Sequence, residues 1–454
     1  MADVVPFVCW RPPEELSGEV AAAPYDTVSR AEAAEEIARH PLSFLRIDRP
    51  AALFDPSLDE YEEQVYAAAR EELDAWYEQG VMLPDSPDLE PAYFIYRLTQ
   101  GSHIQTGLVA CASVADYQSG VIKRHENTRA LKERDRVEHI KTLEAHTGPV
   151  LLTYPPVREL DDLLEELTRA AVPEAATEAA PHSELESASQ PAPKSTLESA
   201  SRPAPQPTPK STLLYDFVAP DGVRHEFWRL DSRETTEQIR ACFAQIPALY
   251  IADGHHRAAA AMRVAEWYTA EQRAGQAAAQ YFLVALFASN ELRVLDYNRV
   301  VSDLAGLGPQ ELLTALTEVM DIEVWGTEPF RPTRRGELGM YLDGTWYQLR
   351  VREASRPQDV VDGLDVALLQ STVLAPILHI EDPRSDPRIT YLSGIRGLAE
   401  LASLADETGG VAFALYPCSL DELFAVADEG RLMPPKSTWF EPKPRSGLAI
   451  HRIR

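Results

Sequence analysis

A stretch whose composition opposes folding divides this chain. From about Pro173 to Lys210 the sequence is Ala, Pro, Glu, Ser and Thr, with almost no large apolar residue. It also repeats. Ser183–Pro193 reads SELESASQPAP and Ser195–Pro205 reads STLESASRPAP, while Lys-Ser-Thr-Leu occurs at Lys194 and again at Lys210. Such a segment buries too little apolar surface to offset its ordering entropy. No repeat unit carries a hydrophobic face to stack on the next, which excludes a solenoid. The segment reads as a disordered insertion grown by tandem duplication, so the fold has to be assembled from its two flanks.

Those flanks alternate between strand and helix patterns. Before the insertion, Ala92–Arg97, Ile104–Val114 and Val150–Tyr154 read as buried strands, and Arg30–Arg39, Asp59–Gln79 and Arg129–Glu144 as helices. Gly148 followed by Pro149 reads as the glycine cap and proline stop of the last helix. After it, Asp221-Gly222 and Asp343-Gly344 sit between β-patterned runs and mark hairpins. Ala248–Ala252, Tyr281–Phe287 and Val411–Leu415 read as strands, with helices at Glu237–Ala244, His256–Tyr268, Pro309–Met320, Leu364–Leu378 and Leu420–Ala427. The class is mixed α/β. Three regions are expected: residues 1–100, residues 101–290 interrupted by 173–210, and residues 291–454.

Charge narrows the partners. Lys+Arg is 43 and Asp+Glu 71, a net charge of −28 over 454 residues, and such a surface repels polyphosphate chains and anionic lipid. Nucleic acid and membranes are not expected as partners. A small anion is still admissible in a local pocket of amides and cations. Cys9, Cys111, Cys242 and Cys418 lie far apart with no CxxC pair, which argues against a disulfide scaffold and for a reducing compartment. No run is long and apolar enough to cross a bilayer, and no leader pattern opens the chain; a cytoplasmic location is expected.

Two segments carry the chemistry. Tyr250-Ile251-Ala252-Asp253-Gly254-His255-His256-Arg257 is a strand, a turn and a helix start with basic residues in its first turn. Helix starts favour acidic residues, so His255, His256 and Arg257 there suggest an anion among them. Gly254 lets backbone approach a phosphate. Asp253 fits a helix cap, a base or a Mg²⁺ ligand; the plain alternative is a capping aspartate with surface histidines. The second segment, Lys123-Arg124-His125-Glu126-Asn127-Thr128-Arg129, places a carboxylate among cations just before a helix. It suits a base or a metal ligand, or a solvated charge run capped by Thr128. In the tail, Lys436, Ser437 and Thr438 could wrap a phosphate, and Trp439 and Phe440 could stack on a base or fill a core. Pro24-Tyr25-Asp26 reads as a turn with a buried tyrosine, His225 as structural, and His139 and His146 as surface residues. No Walker A, GxGxxG, GxSxG or HExxH pattern occurs.

Together the His-Glu-x-Thr loop and the Asp-Gly-His-His-Arg turn resemble the ParB/sulfiredoxin superfamily, and within it the ParB-like free serine kinases, over about Ile104–Phe287. The resemblance implies a ParB/sulfiredoxin-like central domain with additional N- and C-terminal α/β regions. It implies Glu126 as catalytic base, with His125 and Asp253 beside it. Gly254, His255, His256 and Arg257 would hold nucleotide phosphates; outside the span of that resemblance, the Pro-rich loop itself adds Lys436, Ser437 and Thr438 to the expected phosphate site. ATP or ADP with Mg²⁺, the metal at Asp253, and a small hydroxyl substrate such as L-serine follow as cofactors and partners. Nearly the whole chain also resembles the bacterial family numbered 1015 in the domain-of-unknown-function series. Pro24-Tyr25-Asp26, Ser43-Phe44-Leu45, Gln105-Thr106-Gly107, Thr147-Gly148-Pro149 and Met433–Lys443 match its pattern. The alternatives are a metal-dependent phosphatase or nuclease using Asp253, His255 and His256, and a non-enzymatic ParB-like nucleotide-binding protein. The latter would need a basic helix-turn-helix, which the sequence does not show.

Overall fold

The computed structural model describes residues 1–86, 88–170, 210–352 and 356–454. The insertion expected at Pro173–Lys210 lies, except for Lys210, outside the described residues. The architecture is mixed α/β, built on two main sheets.

The first sheet has nine strands. Its order runs Ile122–Lys123, Leu249–Asp253, Val150–Tyr154, Tyr281–Ala288, His103–Ser113, Phe94–Gln100, Arg224–Leu230, Ser211–Val218, with Val4–Val5 pairing on His103–Ser113. Leu249–Asp253 runs parallel to Ile122–Lys123, and Tyr281–Ala288 parallel to Val150–Tyr154. These central strands are apolar almost throughout because both faces are covered: Val150–Tyr154 is buried at every position. Gly107 belongs to this packing. A Cβ there would sit 2.2 Å from the Leu286 carbonyl oxygen and 2.6 Å from the Phe287 ring.

Both Asp-Gly hairpins form. Ser211–Val218 pairs with Arg224–Leu230 across Asp221-Gly222, and Glu337–Leu342 with Thr345–Val351 across Asp343-Gly344. The second hairpin belongs to a six-stranded antiparallel sheet with Met320–Gly326, Val411–Leu415, Tyr297–Val301 and Ile389–Ser393. The boundary expected near residue 100 falls inside an antiparallel pair, since Phe94–Gln100 is hydrogen-bonded to His103–Ser113 along its length. The first sheet therefore draws strands from the first hundred residues.

Several local expectations are corrected. The helix before Gly148 is Ala130–Leu143, and its cap is Glu144 in the left-handed region at φ 50°. Gly148 instead makes room for a side chain, since a Cβ there would lie 2.9 Å from the Arg257 guanidinium carbon. Leu364–Leu378 is not one α-helix, because Asp365–Leu369 passes into a wider π turn at Gln370–Leu374. His139 and His146 are buried, not surface residues. His139 Nε2 lies 2.8 Å from the Ile47 carbonyl, and His146 stacks on His451 at 5.7 Å. Helix Arg158–Ala170 is a further element, one not expected from the sequence pattern.

The tail ties the molecule together. Trp439–Phe440 pairs with Val294–Leu295, and Ile450–Arg452 pairs with both Cys9–Arg11 and Ala145–His146. Residues 433–447 are thereby drawn across the C-terminal end of Leu249–Asp253, where the candidate site lies.

Candidate active site

Strand Leu249–Asp253 ends at the mouth of a cavity, and helix His255–Ala270 starts there. Gly254 is the hinge between them. It adopts φ 90°, a conformation open to glycine, and a Cβ would meet the Val150 Cα at 3.4 Å. The cavity holds about 120 Å³ and is walled by residues from five stretches of chain, one of them contributing Pro149 and Leu151. Asp253, Gly254, His255, His256 and Arg257 come from the turn, and Glu126, Arg129 and Lys132 from the loop and helix before it. Pro24, Tyr25 and Asp26 come from the N-terminal region, and Lys436, Lys443 and Pro444 from the tail. The two sequence signals therefore meet, and Pro24-Tyr25-Asp26 joins them.

Each side chain has a distinct electrostatic setting. Asp253 Oδ1 accepts from the Gly254 N–H at 2.8 Å, and Oδ2 pairs with the Lys443 ammonium. Burial opposes its charge, yet Lys443 and the amide hold its carboxyl well below the usual carboxylate range. Helix His255–Ala270 has Gly254 as its N-cap with no side-chain cap, so Asp253 is not the cap. Both its oxygens are engaged, and among the described residues Asp253 does not belong to the cluster of metal-type donors. Glu126 is different. Burial and the nearby Asp253 charge raise its pKa, and Lys436 only partly offsets them.

The histidines do not act as one group. His256 Nε2 accepts from the Arg129 N–H at 3.0 Å. His255 turns the other way, its ring edge-on to His125 at 4.5 Å between centroids. Burial lowers both pKa values, that of His125 to about 4, so both rings are neutral near pH 7. The set Asp253, His255 and His256 is thus not assembled as metal ligands. Among the described residues, the donor cluster is His125, Glu126 and His255, within 4.8 Å of one another.

Arg257 lines the cavity but is held from behind. Its guanidinium donates to the Pro149 carbonyl at 3.0 Å and to Ser446 Oγ at 3.4 Å. It also lies 3.5 Å from buried Asp48 and 5.2 Å above the Tyr25 ring. It is a structural hub as well as a wall. Arg129, Lys132 and Lys436 are the reverse case: among the described residues none has a carboxylate within ion-pair distance. Burial lowers the Lys132 pKa. Lys436 is set by the second sheet. Arg299 donates to its carbonyl at 3.0 Å, and Tyr297 lies 5.4 Å below its ammonium.

Ser437 and Thr438 are not among the lining residues. The Ser437 hydroxyl donates to the Pro434 carbonyl at 2.6 Å. Trp439 and Phe440 do not face the cavity either: Phe440 is in the core, and Trp439 packs edge-on to Tyr297 with its N–H on Glu441. Thr128 bonds Glu133 and does not cap a helix. His225 is buried against the Tyr96 hydroxyl at 2.8 Å, a structural contact. Sequence reasoning missed Lys132 and Lys443. Lys443 sits between prolines at 442 and 444, a rigid frame that could have flagged the lysine between them.

The sequence matches the family described as Protein of unknown function (DUF1015) over residues 4–200 and 193–367. The chain belongs to the DUF1015 family. No curated protein matches it. Solved structures similar to this DUF1015 chain include a free serine kinase variant in complex with AMP, at 10% identity, covering 73% of this chain and 87% of that one with a TM-score of 0.32. SbnI with a C-terminal truncation, from Staphylococcus aureus, is similar at 11% identity, with 75% and 85% covered and a TM-score of 0.34. A conserved hypothetical protein from Pyrococcus furiosus gives 9%, 73%, 90% and 0.29. Likeness at this level carries no chemistry to the chain. No described helix is long and apolar enough to cross a membrane.

Proposed function

We propose that this DUF1015 protein is a nucleotide-dependent phosphotransferase acting on a small hydroxyl metabolite, with free L-serine as the first candidate acceptor. One observation carries the reading. In a chain of net charge −28, the cavity gathers five cationic side chains against three anionic ones. Three of those cations, Arg129, Lys132 and Lys436, lack an ion-pair partner among the described residues. Lys132 is half-buried, and an unpaired cation partly removed from water is costly unless an anion joins it, while Arg129 and Lys436 are exposed and free to meet one. Helix His255–Ala270 starts in the cavity wall, and a helix start is an anion site.

The reaction follows from positioning and charge neutralisation, the main needs of phosphoryl transfer. The acceptor hydroxyl gives its proton to the Glu126 carboxylate. Its oxygen forms the new bond to the terminal phosphorus of ATP or ADP. The bond from that phosphorus to the bridging oxygen breaks, and ADP or AMP leaves with the electron pair. Lys132, Lys436 and Arg129 neutralise the charge on the transferring group. Lys443 fixes Asp253, which in turn holds the Gly254 amide in register. The space of about 120 Å³ accommodates the reacting phosphoryl group and a small acceptor; the nucleoside would lie along the open mouth.

The test is purified protein with ATP or ADP and L-serine, assayed for O-phosphoserine. Product is expected from the wild type, with a loss of at least ~100-fold in Glu126→Gln, the scale of a lost general base. Nucleotide hydrolysis that is independent of any acceptor would replace this reading with a phosphohydrolase.

A further inference from the structure

Behind the cationic wall, His125, Glu126 and His255 form a group that packing alone does not explain. Two imidazoles from segments 130 positions apart meet edge to face, with His125 2% and His255 6% exposed. His125 Nδ1 is buried and has no hydrogen-bond partner among the described residues. A buried ring nitrogen without a well-formed hydrogen bond costs about 1–3 kcal/mol, and the Ile251 carbonyl near the His125 ring does not meet hydrogen-bond geometry with Nδ1. His255 Nε2 accepts only from the His125 amide, at 3.5 Å, the outer limit of such a bond. The Glu126 carboxylate completes the set, all three donor atoms lying within 4.8 Å of one another. Glu126 makes no ion pair among the described residues, so nothing else claims it.

We propose that His125, Glu126 and His255 bind a divalent transition-metal ion of the zinc type, with one coordination position left open toward the cavity. Two imidazole nitrogens and one carboxylate oxygen suit zinc, whereas magnesium prefers an all-oxygen shell. Tetrahedral bonds of about 2.0–2.1 Å place donors roughly 3.4 Å apart. The widest pair therefore closes by no more than ~1.5 Å, within the range of side-chain rotations. This inference rests on the proposed role of Glu126 and deepens it. The ion takes the same carboxylate that would accept the hydroxyl proton, so metal loading and phosphoryl transfer exclude each other. The site is an inhibitory switch on the base.

The experiment uses the full chain stripped with a chelator. Zn²⁺ alone is titrated in by calorimetry, and Co²⁺ alone is followed by visible absorption. One ion per chain is expected, with the intense Co²⁺ bands of a four-coordinate site. Glu126→Gln, which keeps the side-chain shape, and His125→Ala should each lower affinity by at least ~10-fold and abolish the bands, with circular dichroism reporting the fold. Unchanged affinity in both variants, or no saturable binding, overturns the site. An ADP-induced thermal shift is read on the same samples. A shift without Zn²⁺ binding overturns the ion site and leaves the phosphotransferase reading standing. Zn²⁺ binding without an ADP shift supports the ion site and counts against that reading.

Discussion

Arg257 offers the sharpest energetic prediction. Its guanidinium is the nearest cation to Asp48, at 3.5 Å, with side-chain exposures of 14% and 1%. Burial pushes the Asp48 carboxyl up, but Arg257, His139, Arg136 and the Thr147 hydroxyl together hold it below the usual range. Arg257→Ala removes the first of these partners and leaves a buried carboxylate short of a countercharge. The cost of breaking such a pair from one side is about 3–5 kcal/mol. Adding Asp48→Asn removes the stranded charge, so the double variant should recover part of the loss, with a coupling energy of at least ~1 kcal/mol. Urea unfolding at about pH 7 and about pH 5 measures all four proteins. In the wild type, the depressed Asp48 contributes stability that is present above the unfolded value of about 3.9 and lost as pH falls through the folded one. In Arg257→Ala the carboxyl is no longer held down, so it takes up a proton more readily. The gap to wild type should therefore narrow at the lower pH. An Arg257→Ala cost under ~0.5 kcal/mol, or strict additivity with Asp48→Asn, would refute the hub role.

Other outcomes follow from the same geometry. Gly254→Ala forces an L side chain to φ 90° and should destabilise by about 1–3 kcal/mol, read as a lower urea midpoint. The acid limb of kcat/KM should lie above the ordinary glutamate value of about 4.3, because Glu126 must be ionised and its pKa is raised. Lys436→Gln, by removing the charge that lowers it, should move that limb further up. The buried histidines 139, 146 and 225 have pKa values of about 4, 3 and 3 against 6.5 unfolded. The stability they confer by being neutral is full above about pH 6.5 and falls by about 2 kcal/mol each toward pH 5; His139→Gln should flatten this slope in urea titrations.

Local chemistry was readable in the sequence, and long-range convergence was not. Asp253–Arg257 declares itself because strand, turn and helix start are contiguous. Both hairpins do so because Asp-Gly fixes a turn by its own backbone preference. Gly148 misled because glycine before proline imitates a helix stop, whereas the true stop is Glu144 in a left-handed conformation that sequence does not favour. His139 looks like a surface residue on a polar helix, and His146 like one just after it. Their partners, the Ile47 carbonyl and His451, arrive from distant segments. Lys443 reaches the site only because the tail pairs first with Val294–Leu295 and then with Cys9–Arg11. Arg257 was legible as a basic residue at a helix start, but not as the residue clamped by Pro149, Ser446 and Asp48.

The claim that the cavity grips phosphate is tested most directly by calorimetric titration of ADP into wild type, Lys132→Ala and Lys436→Ala. Saturable binding is expected in the wild type, falling at least ~10-fold in each variant, the scale of one lost charge-assisted hydrogen bond. No saturable binding, or equal affinity in all three proteins, would contradict it.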